Sequence, residues 1–358
     1  MTSIQFIILT VICTFVLSAL LIPLVIRYSK KHELYDSVNE RKVHTGNIPR
    51  LGGIAIFVSF FIGFFVLFCK GTFSTTQQNI LFLIVPVIII FVMGLIDDIY
   101  ELPAKLKLVI QILATVLVII GGYTISTVFS APAGFTFGKL SPIVTFIWIL
   151  GLTNAINLID GIDGLCGSLS CLIAATFGLL FYEVNSHVTL LCALLIASVL
   201  GFLVYNFPLS KAKIFMGDSG SQTLGFILAI IPLIKSSSHQ IVPFFPIAVT
   251  IVIPFFDTIA AIWRRLRDKK HFDTPDNFHI HHKLLLCGFS VGKALFILIA
   301  LQLNVSFFVF CGNKIGGYLG FAINATVFLM ILSFFFLFHY IKEGITKKKF
   351  TEEQHPAE

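Results

Sequence analysis

Asp97 and Asp98 stand side by side directly after nineteen residues, Gln78 to Ile96, that carry no charge. Adjacent carboxylates repel one another. They also oppose the macrodipole at a helix C-terminus and are disfavoured by the anionic lipids of a cytoplasmic leaflet. A helix end that merely meets the headgroup region explains one aspartate better than two. A pair suits a hard divalent cation, or the substrate bound to one, because Mg2+ prefers carboxylates and water and usually shares its shell with substrate phosphate. Lys105 and Lys107 follow closely enough to meet phosphate oxygens.

Four other stretches carry polar chemistry. In N-A-I-N-L-I-D-G-I-D-G-L, residues 154–165, Asn154, Asn157, Asp160 and Asp163 recur every three positions. That spacing shares a helix face, and Gly161 and Gly164 open the helix into a turn. Such polarity at the end of an apolar segment lines a cavity or reaches the surface, since intramembrane polar groups are expensive and usually functional. K-I-F-M-G-D-S-G-S, 213–221, presents Asp218 between two glycines that let backbone and carboxylate approach a ligand. An N-cap ahead of the next helix accounts for it equally well. The 263–293 loop starts with Arg264, Arg265 and Arg267 and brings His279, His281 and His282 within four residues. The histidines match no common structural zinc spacing, and beside the arginines they suit hydrogen bonds to phosphate oxygens. Finally, R-K-V-H-T-G-N-I-P-R-L-G-G, 41–53, contains His44 among basic residues that can hold an anionic headgroup, although an interfacial anchor is the plainer reading.

The elements that position these residues have to lie in lipid. Of 358 residues 57% are hydrophobic and 12% charged, and 39 are phenylalanine; soluble chains average about 25% charged. Mean hydropathy is +0.95. Spans of about 20 apolar residues fall near 4–26, 51–69, 78–96, 106–122, 143–159, 165–182, 188–206, 220–234, 241–262, 292–311 and 318–341, which predicts an all-α polytopic membrane protein of about eleven helices. The fifth and eighth are the shortest or most interrupted. With eleven crossings, 21 of the 25 Lys and Arg fall on one side, leaving Lys70, Lys139, Lys235 and Lys314 opposite. The positive-inside rule puts the larger group in the cytoplasm, with the N-terminus outside and the C-terminus inside. The cytoplasmic loops are then 27–50, 97–107, 158–166, 207–219 and 263–293, attached to one integral-membrane domain, 1–341, with a tail, 342–358. Basic residues spread over short loops remove the case for nucleic acid. The first span lacks a basic leader and is read as a retained helix. Seven cysteines without C-x-x-C pairing read as packing residues. A short outer hairpin is expected within 121–142, and a loosely ordered interfacial tail after 342.

In order along the chain, R-K-V-H-x4-P-R-L-G-G, G-L-I-D-D, the 154–165 stretch, F-M-G-D-S-G and H-I-H-H resemble the motifs of the polyprenyl-phosphate N-acetylhexosamine-1-phosphate transferases. The resemblance covers roughly Arg41 to Phe289. It implies attack of undecaprenyl phosphate on the β-phosphorus of a UDP-N-acetylhexosamine, with release of UMP, at the cytoplasmic face of a bacterial cytoplasmic membrane. It also implies Asn157 and Asp218 as Mg2+ ligands, with Mn2+ a substitute they could accept. Asp97 and Asp98, with Lys107, would be catalytic beside the lipid phosphate. Asp160 and Asp163 would shape the nucleotide-sugar site with Asn154, and His279, His281 and His282 would bind the pyrophosphate, with Arg265 and His44 as further anion contacts.

Ile280 separates His279 from the other two histidines, whereas the muramoyl-pentapeptide branch has three in a row. The run through Phe289 looks instead like the branch that transfers GlcNAc-1-phosphate to begin O-antigen, enterobacterial common antigen or teichoic acid. UDP-GalNAc or a 6-deoxy sugar stays open, as does a homodimer. An intramembrane prenyltransferase would leave the histidines unexplained. A secondary transporter would place its acids near the midplane within an inverted repeat, and no repeat is evident.

Overall fold

In lipid every backbone N–H and C=O has to be satisfied within its own segment, so long apolar runs become helices. The computed structural model describes residues 3–35, 48–73, 79–129, 134–207, 211–235, 242–269 and 278–354, with side chains as far as Phe338. Among these residues are α1 (Ser3–Lys31), α2 (Gly53–Cys69), α3 (Leu81–Tyr100), α4 (Ala104–Ile120), α5 (Ser141–Leu158), α6 (Leu165–Phe181) and α7 (Ser186–Asn206). They are followed by α8 (Gly217–Ile230), α9 (Phe244–Thr250), α10 (Val252–Arg267), α11 (Ile280–Leu286), α12 (Val291–Ile315) and α13 (Gly317–Gln354). Antiparallel strands β1 (Thr127–Phe129) and β2 (Phe135–Thr136) form the expected hairpin. α13 runs on to Gln354, so the segment read as loosely ordered continues a helix; its lysines and glutamates are good helix formers.

All eleven predicted spans fall on helices, but among the described residues only six are long and apolar enough to cross a bilayer, or seven if the bent pair α9–α10 counts as one. α8 shows why the count drops. It has 14 residues and is buried over twelve of them, from Ser219 to Ile230. Such a helix belongs in the centre of a bundle. The lipid-facing periphery carries large exposed side chains instead, such as Ile8 and Leu20 on α1, Leu113 on α4 and Phe307 on α12. α3 lies against α8 at very short range: a Cβ on Gly94 would sit 2.6 Å from Ser219 Cα.

The ninth predicted span is broken by 71° between α9 and α10. Pro254 has no N–H for the Thr250 carbonyl four residues earlier, and its ring crowds that carbonyl. Gln302, fully buried on α12, donates its Nε2 to Thr250 O at 2.9 Å and so satisfies the freed acceptor.

Candidate active site

The link from α3 to α4 is short and sharply turned. Glu101 ends α3 in the left-handed region (φ 52°), and Pro103 precedes α4. Asp97 Oδ1 accepts from Leu102 N at 2.7 Å, tying the turn to the helix it leaves. Lys107, in the first turn of α4, thereby comes back over α3, and its Nζ donates to Asp97 Oδ2 at 2.9 Å and to Asp218 Oδ2 at 3.2 Å. One ammonium thus bridges carboxylates from α3 and α8.

Asp98 points the other way. Both its oxygens are occupied by the start of α8: Oδ1 by Asp218 N at 2.8 Å, Oδ2 by Ser219 N at 3.0 Å and Ser219 Oγ at 2.5 Å. The first amides of a helix have no internal partner, and this carboxylate supplies it. Arg50 completes the exchange by donating Nε to Asp98 O at 2.7 Å and Nη2 to Asp97 O at 3.1 Å, at the end of α3. The backbone around it pairs with the loop before α8 through Phe215 N to Pro49 O, Gly52 N to Phe215 O and Gly53 N to Met216 O, at 2.8–2.9 Å. Gly217 sits inside this clasp at φ +73°, where a Cβ would lie 2.0 Å from Arg50 O. Adjacent in sequence, the two aspartates are expected in one reacting centre, whereas the fold turns only Asp97 toward the Lys107 ammonium that also holds Asp218.

Asp218 is the second residue of α8, not its N-cap, which is Met216. Its Oδ1 accepts from Asn157 Nδ2 at 3.3 Å and its Oδ2 from Gln222 Nε2 at 2.7 Å. Asn157 Nδ2 also donates to Ser221 Oγ at 2.9 Å, so the amide nitrogen is the atom that faces Asp218; with the amide turned over, its oxygen and Asp218 Oδ1 would stand together as hard oxygen donors. Among the described residues no three His, Cys, Asp or Glu converge as a metal cage. One carboxylate with one amide oxygen, completed by water and phosphate, fits the way Mg2+ is commonly held. Beneath them Gln222 Oε1 accepts from Gln111 Nε2 at 2.8 Å, and Asn154 Nδ2 donates to Gln111 Oε1 at 2.9 Å. Asn154 is therefore part of a buried amide network below Asp218. Gln111 stands alone in the apolar middle of α4, and that isolation was its available signal, whereas Gln222 directly follows the Asp218–Ser221 run and its place one turn after Asp218 was the signal.

The histidines form a second half-site on the turn after α5. Gly164 begins α6 at φ 77°, and its N donates to Asn206 Oδ1 at 2.9 Å. Asp160 is exposed and Asp163 half-buried on this turn. His281 packs beneath it: a Cβ on Gly161 would lie 2.1 Å from His281 Nε2. His281 is 1% exposed, and neither ring nitrogen has a hydrogen-bond partner among the described residues. Its ring is parallel to that of His279, with centroids 5.9 Å apart, and lies 4.2 Å from that of the half-buried His282. Arg265 is half-buried in the last turn of α10, and His44 lies outside the described residues. Asn157 at the end of α5 is thus four residues before Gly161, which covers His281 in the turn that follows, so the end of α5 joins the two half-sites. Asp257 of α10, which bonds His279, was missed entirely. It is the only charged residue between Val242 and Ile262.

Burial, reinforced by the neighbouring His282, pushes the His281 pKa down to about 3. An unfolded histidine titrates near 6.5, so as pH falls below 6.5 the unfolded chain takes up a proton that the fold refuses. The stability this residue contributes is complete above pH 6.5 and is lost as pH falls toward 3. His281→Leu is expected to remove that dependence. The thermal midpoint of the variant relative to wild type should therefore rise between pH 6.5 and 4, and a constant difference would return His281 to ordinary packing.

Residues 80–236 match the model of glycosyl transferase family 4. The chain is 38% identical over 291 residues to a probable undecaprenyl-phosphate N-acetylglucosaminyl 1-phosphate transferase of Bacillus subtilis (strain 168), covering 78% of each chain. It is 32% identical to an undecaprenyl-phosphate alpha-N-acetylglucosaminyl 1-phosphate transferase of Yersinia pestis, over 75% of this chain and 73% of that one. With the Escherichia coli (strain K12) enzyme of the same name the identity is 31%, over 77% and 75%. The matched region contains α3, α4, α5 and α8, the helices that carry Asp97, Lys107, Asn157 and Asp218. This multi-pass membrane protein is a transferase: it belongs to glycosyl transferase family 4 and stands there with the undecaprenyl-phosphate N-acetylglucosaminyl 1-phosphate transferases.

Proposed function

We propose that the protein transfers GlcNAc-1-phosphate from UDP-GlcNAc to undecaprenyl phosphate, releasing UMP and starting a lipid-linked envelope glycan. The observation that carries this reading is the Lys107 ammonium held between Asp97 and Asp218, beside Asn157, where four helices meet. A phosphate oxygen of the lipid forms a bond to the β-phosphorus, and the bridging oxygen departs with UMP. The lipid phosphate is already largely ionised near neutral pH, since its second pKa is about 6. It therefore needs neutralisation and alignment more than a strong base. Lys107 supplies positive charge to it, while Asp97 fixes Lys107 and the α3–α4 turn. Mg2+, bound by Asp218 and Asn157, would neutralise the pyrophosphate. Asp160 and Asp163 shape the nucleotide-sugar side. His279, His282, Arg265 and His44 contact anionic oxygens, and His281 buttresses the turn from below. Asp98, first read as a reacting group, is assigned instead to holding α8.

The test is UMP release by purified protein with undecaprenyl phosphate, Mg2+ and a panel of UDP-N-acetylhexosamines, with and without EDTA. UMP formed only when both lipid and metal are present supports the reading and identifies the sugar. No UMP from folded protein with any donor would sink it.

An orientation with the site facing the cytoplasm follows from the charge distribution. In a cysteine-free background, Lys139→Cys and Lys211→Cys should react with an impermeant maleimide from opposite sides of the membrane. Both positions are exposed. Labelling from one side would break this topology.

A further inference from the structure

An acid inside an apolar helix is costly unless its charge is satisfied. Asp257 is 2% exposed on α10, and both of its oxygens reach one short segment. Oδ2 lies 2.8 Å from His279 Nδ1, and Oδ1 accepts from Ile280 N at 2.8 Å. His279 begins α11 without a side-chain cap of its own. A seven-residue helix has little independent stability, so this carboxylate anchors the segment to α10. A carboxylate only accepts, so Nδ1 carries a hydrogen; a phosphate oxygen also only accepts, so Nε2 meets one only when it carries a hydrogen too, as in the imidazolium. The His279 ring makes no further hydrogen bond among the described residues. Its ring is parallel to that of His281, which packs on Gly161 in the turn bearing Asp160 and Asp163.

We propose that Asp257 is a positioning residue for the nucleotide-sugar pyrophosphate, fixing the pose of His279 and balancing the charge of its doubly protonated ring so that Nε2–H donates to a phosphate oxygen. The inference rests on the transferase reading above and deepens its account of the donor site. Asp257→Asn keeps the shape but has one acceptor. It can satisfy Ile280 N only by presenting its NH2 to Nδ1, which must then be unprotonated, so the ring loses its positive charge and the carboxylate that balanced it. The KM for UDP-GlcNAc is expected to rise by about 10–100-fold, with the KM for undecaprenyl phosphate and the thermal midpoint unchanged. A loss of correctly folded protein would lower the apparent kcat instead. His279→Ala should raise the same KM, and the double variant should be no worse than His279→Ala alone.

A wild-type KM in Asp257→Asn, or additive effects in the double variant, would overturn the proposal. If Asp257→Asn does not fold, Asp257→Glu keeps two acceptors while displacing the ring, and the same selective rise in KM is required of it. Failure of wild-type protein to release UMP would fall on the transferase reading, whereas an active wild type with an indifferent Asp257 would fall on this inference alone.

Discussion

Asp218→Asn is expected to lower UMP release by about 10³-fold, the scale seen when one preorganised electrostatic partner is removed from a reacting centre, while the protein stays folded. Asparagine has nearly the same shape, and its remaining oxygen can still accept from Gln222 Nε2, which lies 2.7 Å from the carboxylate. What disappears is the charge. Asp218 and Asp97 share one ammonium, at 3.2 and 2.9 Å, so the trio keeps an excess negative charge to attract a divalent cation. The asparagine variant has no such excess, and Lys107 swings wholly to Asp97. A Mg2+ titration of UMP release is the measurement. Half-saturation should move to higher Mg2+ as turnover falls, and Asn157→Ala, which removes a neutral oxygen, should do the same more weakly. Unchanged Mg2+ activation in either variant would remove that residue as a ligand.

The sequence made the site's residues visible because polar side chains at the ends of apolar segments are conspicuous. Asp97, Lys107, Asn157 and Asp218 were found that way and do come together. Direction was not legible. Side chains of consecutive residues on a helix diverge by about 100°, so Asp97 and Asp98 had to face different partners, and only the packing of α8 against Gly94 decided which. The buried polar groups that hold the site were also hidden. Gln111, Asn206, Gln222 and Asp257 act through residues 22 to 111 positions away or through loops. A scan for motifs gives lone residues such as Gln111, Asn206 and Asp257 no weight. Helix count suffered from a related limit: hydropathy reports apolarity but cannot separate a lipid-crossing helix from α8, which is apolar because protein surrounds it.

Asp98→Ala is expected to destabilise the fold by roughly 3–5 kcal/mol, since it leaves the buried amides of Asp218 and Ser219 and the Ser219 hydroxyl without their acceptor. Asp98→Asn should fall between alanine and wild type, because one oxygen remains while an NH2 group faces an amide N–H. Asp97→Asn should behave differently in kind. Its shape and the Leu102 contact can be kept, so the thermal midpoint should stay near wild type while turnover drops through loss of the charge that fixes Lys107. The decisive comparison is the denaturation midpoint in detergent set beside UMP release for all three variants. If Asp98 acted as a base on the lipid phosphate, Asp98→Asn would be as stable as wild type and inactive. If it holds α8, activity in the Asp98 variants should follow stability and recover on cooling. Arg50 offers an independent check from the other side of the clasp. Its guanidinium binds the carbonyls of Asp97 and Asp98, so Arg50→Ala should lower the midpoint without altering the Mg2+ requirement of the protein that remains folded.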